Sequence, residues 1–128
     1  MNLLIDTHLL IWAGVDRTLL PRRASDLMGD PQVTLWFSVI SVWEVAIKRA
    51  LNRPDFVCNP GPFRAGLLAS GYGEMAVEGR HCLALATLPA LHGDPFDRML
   101  VSQAAAEGMT LLTADRRLVA YGDPVRLV

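Results

Sequence analysis

The stretch Asn2 to Ile5 (NLLI) runs apolar through three successive residues and then stops at a carboxylate, Asp6. A strand with apolar residues on both faces must be covered on both faces, which calls for a sheet held between helices. Val33 to Ile40 (VTLWFSVI) and Met109 to Thr113 (MTLLT) carry a similar signature, the former rich in β-branched and aromatic residues. Helical stretches alternate with them: Leu9 to Val15, Pro21 to Met28, a helix opened by Ser41 (SVWEVAIKRAL), Phe63 to Ser70, Arg80 to Leu88 and Pro95 to Glu107. Pro89 stops the fifth of these and Gly108 closes the sixth. NRPDFVCNPGP is punctuated as a loop, and short strands are expected at Met75 to Val77 and Pro124 to Val128. This alternation predicts an α/β fold with a central, mainly parallel sheet flanked by helices.

The 128 residues fit one domain, spanning 1–128, with a well-buried core. No apolar run approaches the ~20 residues that cross a bilayer, so no membrane partner is expected. MNLLIDTHLLIWAGV lacks a basic leader and is interrupted by Asp6 and His8, so it does not read as a secretory signal. Cys58 and Cys82 form no CxxC pair, which suits a reducing cytoplasm and argues against zinc. A net charge of −1 gives no global basic field for nucleic acid, yet the basic residues are nearly all arginine, the better fork for phosphate. A hydrophobic fraction of 52% points to a partner surface.

Four acids fall at related places. Asp6 ends the first strand, Glu44 lies in the first turn after the second, Asp97 opens a later helix, and Asp115 follows MTLLT. In an open parallel sheet, strand ends and the helix starts that follow them share one edge, where such folds bind ligands. Each acid also has a structural reading. Ser41 and Glu44 are spaced as a capping box, Glu44 can pair with Lys48, Asp115 suits a turn, and Asp94 suits the cap before Pro95. Asp6 ends a strand buried on both faces and needs a partner there. Asp97 falls inside the apolar arc of Phe96, Leu100, Val101 and Ala104, opposite the expected wet side of Arg98 and Ser102, so its position favours a ligand role. Two carboxylates ~5 Å apart repel by roughly 3 kcal/mol at an effective dielectric of ~20, so a cluster of four needs protons or a cation. Oxygen donors without paired His or Cys favour Mg²⁺ or Mn²⁺ over Zn²⁺.

LLIDTHLLIW, SVWEVAIK, HGDPFDRMLVSQA and LLTADRRL occur in the order seen in PIN-domain ribonucleases. The chain resembles most closely the VapC-type toxins of bacterial toxin–antitoxin pairs, over essentially its whole length. That resemblance implies a PIN fold and an acidic Mg²⁺ pocket formed by Asp6, Glu44, Asp97 and Asp115. It places Thr7 and Thr113 beside the metal and matches Asp94 to an acid for which we favour the capping role. It also implies a homodimer, a cognate antitoxin protein that offers a basic side chain to the pocket, and contact with DNA only through that antitoxin. One departure is Glu78, where these toxins often carry a threonine; a solvated turn position is expected for it.

The implied reaction is hydrolysis of an RNA phosphodiester, in tRNA, rRNA or mRNA, leaving 5′-phosphate and 3′-hydroxyl ends. Asp6 and Asp97 are expected as direct ligands, Asp115 directly or through water, and Glu44 as a ligand or a guide for the water. Arg98, Arg116 and Arg117 adjoin these positions and could grip phosphates, although each also reads as an ordinary surface charge. His8, His81 and His92 are scattered, and His92 is expected to be a hydrogen-bonding loop residue. Trp12, Trp36 and Trp43 read as core, with Trp43 on the apolar side of its helix. An aspartyl-phosphate enzyme is disfavoured: the first strand is followed by Asp6-Thr7-His8 rather than Asp-x-Asp, and the only lysine, Lys48, comes too early. An RNA-processing PIN nuclease and a non-catalytic PIN-like RNA- or partner-binding module are the remaining alternatives.

Overall fold

Leu3, Leu4 and Ile5 have no solvent exposure in the computed structural model, which describes residues 1–128. They form β1 (Asn2–Ile5), the middle strand of a five-stranded sheet. The other strands are β2 (Thr34–Ser38), β3 (Gly73–Met75), β4 (Thr110–Thr113) and β5 (Val125–Leu127), in the order β3-β2-β1-β4-β5. Every pairing is parallel, with Leu4 opposite Trp36 on one side and Leu111 on the other. Successive residues of β1 serve opposite faces. Leu3 and Ile5 join a core with Leu9, Leu10, Phe37, Phe56 and Leu112. Leu4 joins a second core with Leu100, Val101, Ala104, Leu111 and Leu118. Each such side chain contributes about 1.5–3 kcal/mol by leaving water.

The covering helices are α1 (Thr7–Val15), α2 (Arg22–Met28), α3 (Val39–Ala50), α4 (Pro60–Ala69), α5 (Gly79–Ala86) and α6 (Pro95–Glu107). Both ends of α6 lie where the sequence predicts them. Asp94 accepts hydrogen bonds from the backbone N–H of Phe96 at 2.8 Å and Asp97 at 3.2 Å, Pro95 takes the first position, and Gly108 closes the helix at φ 66°. The start of α3 differs from the expectation. Ser38, not Ser41, caps it, accepting from the N–H of Ile40 at 3.0 Å. The β-branched Val39 and Ile40 read as strand but begin the helix, so Glu44 lies in its second turn and no capping box links it to Ser41.

Other boundaries shift for local reasons. β3 begins at Gly73, ahead of the expected Met75, in register with Trp36, and it passes so close that a Cβ on Gly73 would lie 2.6 Å from the indole ring. Helix α4 starts at Pro60 inside the expected loop, with proline at its first position. Two short 3₁₀ segments, Arg17–Leu19 and Arg116–Tyr121, carry no periodicity to read. Ser102 is buried, not wet, because α5 packs there and the Ser102 hydroxyl donates to the His81 carbonyl at 2.6 Å. Trp43 is 55% exposed rather than core, standing edge-on to Phe96. No helix is long and apolar enough to cross a membrane.

The chain builds outward from β1 through β2 to β3, then crosses back to β4 and β5. The direction therefore reverses between β1 and β4, and the crevice at the carboxyl ends of those strands is where open α/β sheets take ligands.

Candidate metal centre

Asp6 stands at that crevice. Its backbone N–H extends the sheet pairing to the Leu112 carbonyl at 3.0 Å, and its extended backbone makes it the N-cap of α1. Oδ1 accepts from the Thr7 N–H at 2.8 Å, and Oδ2 accepts from the Thr113 hydroxyl at 3.0 Å. Both of these donors are neutral. Burial, with repulsion from Asp97 behind it, pushes the Asp6 carboxyl up to about 7, against the pull of His8 and of the Thr113 hydrogen bond.

Asp97 enters from the first turn of α6 and is 8% exposed, so the inward position read from its helical arc holds. Its Oδ2 lies 2.9 Å from His92 Nε2. Burial raises its pKa; the His92 hydrogen bond opposes the rise, and Asp94 and Glu44 reinforce it. Glu44, 2% exposed, descends from α3. Its Oε1 accepts from the Thr7 hydroxyl at 2.7 Å and its Oε2 from Lys48 Nζ at 2.6 Å. The single Thr7 proton is thereby used, so Ser41, 2.8 Å away, donates to Thr7. Lys48 Nζ also reaches Asp94 Oδ2 at 3.4 Å. Burial disfavours the Lys48 ammonium, but the hydrogen bonds and charges of Glu44 and Asp94 outweigh it and hold its pKa above the usual lysine value.

Asp115 follows β4, and its backbone N–H donates to the Thr113 hydroxyl at 3.0 Å. Arg117 holds the Asp115 carboxyl below its usual range through Nε at 3.1 Å from Oδ1 and Nη2 at 2.8 Å from Oδ2. Asp97 is the shared corner of the cluster. Donor atoms of Glu44, Asp94 and Asp97 lie within 4.8 Å of one another, and so do those of His92, Asp97 and Asp115. Glu44, Asp97 and Asp115 thus fall in donor groups that share Asp97, and Asp6, which is in neither group, is tied to Glu44 through Thr7 and to Asp115 through Thr113. Hard carboxylate oxygens on an edge where Asp6 accepts hydrogen bonds only from neutral donors fit a divalent cation.

The expected phosphate contacts divide. Arg116 and Arg117 are exposed beside Asp115. Arg98 turns to the Pro89 carbonyl at 3.0 Å and the Tyr121 hydroxyl at 3.3 Å. Glu78 is an exposed cap of α5 that pairs with Arg80, as a solvated position requires. It belongs to a separate group with His81 and Glu107, in which Arg80 bridges both carboxylates. Two residues of the centre escaped the sequence reading. His92 forms a hydrogen bond as expected, but its partner is Asp97, and its place two residues before Asp94 was the only cue. Lys48 was paired with Glu44 by helical spacing, with no sign that it also meets Asp94. A cavity of about 800 Å³, with none of these acids in its wall, is lined largely by apolar residues, including Leu10, Ile11, Phe63, Leu67 and Tyr72.

Fold and site define an open α/β domain with a carboxylate cluster at its topological switch point. The PIN domain family model matches residues 3–124, and the chain belongs to that family, whose members generally use a divalent metal. No curated protein matches the sequence significantly. Among solved structures, the chain is similar to VapBC2 from Rickettsia felis bound to a DNA fragment from their promoter, at 14% identity, a TM-score of 0.71 and coverage of 100% of this chain and 98% of that one. It is also similar to VapBC-1 from nontypeable Haemophilus influenzae, at 21% identity, a TM-score of 0.66 and coverage of 100% and 97%. VapBC-5 from Mycobacterium tuberculosis, of the VapBC family of toxin–antitoxin systems, follows at 15% identity, 0.62, and 99% and 97%.

Proposed function

We propose that this PIN domain, residues 1–128 acting as one unit in the cytoplasm, is a VapC-type toxin: a Mg²⁺-dependent endoribonuclease held in check by a cognate antitoxin. The observation that carries the reading is the gathering of carboxylates at the switch point of the sheet: Glu44, Asp97 and Asp115 in donor groups that share Asp97, with buried Asp6 tied to Glu44 through Thr7 and to Asp115 through Thr113. The resemblance of the fold to chains of VapBC complexes supports the toxin assignment.

When bound, Mg²⁺, or Mn²⁺ in its place, supplies Lewis-acid polarisation of the scissile phosphate and acidifies the attacking water. Asp6 and Asp97 would hold the ion, and Asp115 would hold it directly or through water. Thr113 fixes the rotamer of Asp6, and Thr7 fixes that of Glu44, whose carboxylate orients the water for in-line attack. Arg116 binds a flanking RNA phosphate, and Arg117 exchanges its pairing with Asp115 for another, which frees that carboxylate, while Arg98 stays turned to Pro89 and Tyr121. The products carry 5′-phosphate and 3′-hydroxyl ends. The protein forms a homodimer and meets DNA only through its antitoxin.

Expression of the chain in growing bacteria tests this directly. Growth arrest with a discrete cut in a tRNA, rRNA or mRNA, both relieved by co-expressing the antitoxin, is the expected result. Arrest without any RNA cut would favour the non-catalytic binding module.

A further inference from the structure

Lys48 is the only lysine among 12 basic residues, and it lies inside the carboxylate cluster with its side chain 12% exposed. An ammonium is a compact point charge, closer to a metal ion in shape than a guanidinium is. Its Nζ is fixed from several directions. Glu44 Oε2 lies at 2.6 Å and Asp94 Oδ2 at 3.4 Å, and the ring centroids of Phe56 and Phe96 lie at 5.0 and 5.3 Å.

The remaining oxygens of those two acids are also engaged. Glu44 Oε1 takes the Thr7 hydroxyl, and Asp94 Oδ1 takes the N–H groups of Phe96 and Asp97. Glu44 and Asp94 are therefore satisfied by the protein itself, two of the three members of one donor group. Asp6, by contrast, has only neutral donors.

Resting on the divalent-metal reading above, we propose that the Lys48 ammonium stands where a second divalent ion would otherwise sit. The centre then takes one ion, held at Asp97 on the side away from Lys48, and Glu44 is a positioning residue tied to Lys48 rather than a metal ligand. Removing the ammonium leaves Glu44, Asp94 and Asp97 as an uncompensated group of oxygens of the kind a hard cation binds.

The test counts Mn²⁺ ions on the intact wild-type protein and on Lys48→Gln, by electron paramagnetic resonance of free Mn²⁺ during titration. One ion per wild-type chain and two per variant chain are expected. Two ions on wild type, or one on the variant, would overturn the inference and leave the nuclease reading standing. No ion on folded wild type would bring down the metal reading and the inference together. Should Lys48→Gln not fold, Lys48→Met keeps the apolar stem against Phe56 and Phe96 and is counted in its place. A general loss of structure would not raise the ion count.

Discussion

The Thr113 hydroxyl donates to Asp6 Oδ2 at 3.0 Å across a separation of 107 residues. Thr113 Oγ1 in turn accepts from the Asp115 N–H, so one hydroxyl sets both a buried carboxylate and the turn that carries the next acid. Thr113→Val keeps the shape and removes both bonds. It is expected to cost about 1–3 kcal/mol of stability, and to weaken Mn²⁺ binding about 10–100-fold. Calorimetric titration and a urea melt check the two numbers. Unchanged metal affinity would show that Thr113 only holds the turn.

The raised pKa of Asp6 sets a pH dependence. Its folded value of about 7 lies above the unfolded value, so the folded protein binds the extra proton. That contribution to stability is complete below the ordinary aspartate range and is lost as pH rises through about 7. In EDTA, the protein should therefore lose stability between pH 4 and 8, and Asp97, shifted the same way, adds to the loss. Asp6→Asn cancels its share and should be more stable than wild type at pH 8 in EDTA by about 1–4 kcal/mol. Mg²⁺ should then stabilise wild type increasingly with pH and the variant little. Urea midpoints at pH 5 and 8, with EDTA and with Mg²⁺, measure all of this; a wild-type midpoint in EDTA that rises with pH relative to Asp6→Asn would contradict it.

Two arginines next to the acids should behave differently. Arg117 is 71% exposed, so its pairing with Asp115 is worth at most about 1 kcal/mol. Arg117→Ala should leave the melting temperature nearly unchanged and raise KM for RNA. Arg98→Ala breaks the contacts to Pro89 and Tyr121 and should lower the melting temperature with little effect on KM. Thermal melts beside steady-state cleavage separate the two, and a reversed pattern would exchange their roles.

What was legible in the sequence was local. Both ends of α6 carry their own signals, Asp94-Pro95 and Gly108, and the apolar arc around Asp97 turns its carboxylate inward whatever the strand order. Continuous apolar runs gave away the parallel sheet. The start of α3 is not legible because Val39 and Ile40 favour strand on propensity, whereas Ser38 caps the helix and Ser41 is drawn to Thr7. Strand order could not be read, since the Asp6–Thr113 contact joins the two ends of the chain. The places of His92 and Lys48 depended on the same packing: Lys48 meets Asp94 across 46 residues. Ser102 looked solvent-facing because nothing in its own helix announces that α5 covers it.

The most direct measurement is cleavage of a mixed tRNA and ribosomal RNA pool by wild type and by Asp97→Asn, in Mg²⁺, in Mn²⁺ and in EDTA, with the cut ends mapped. Discrete cuts bearing 5′-phosphates, abolished by EDTA and reduced at least about 100-fold in the variant, are the predicted result. Equal cutting by wild type and Asp97→Asn, or cutting that persists in EDTA, would contradict a metal-dependent nuclease centred on Asp97.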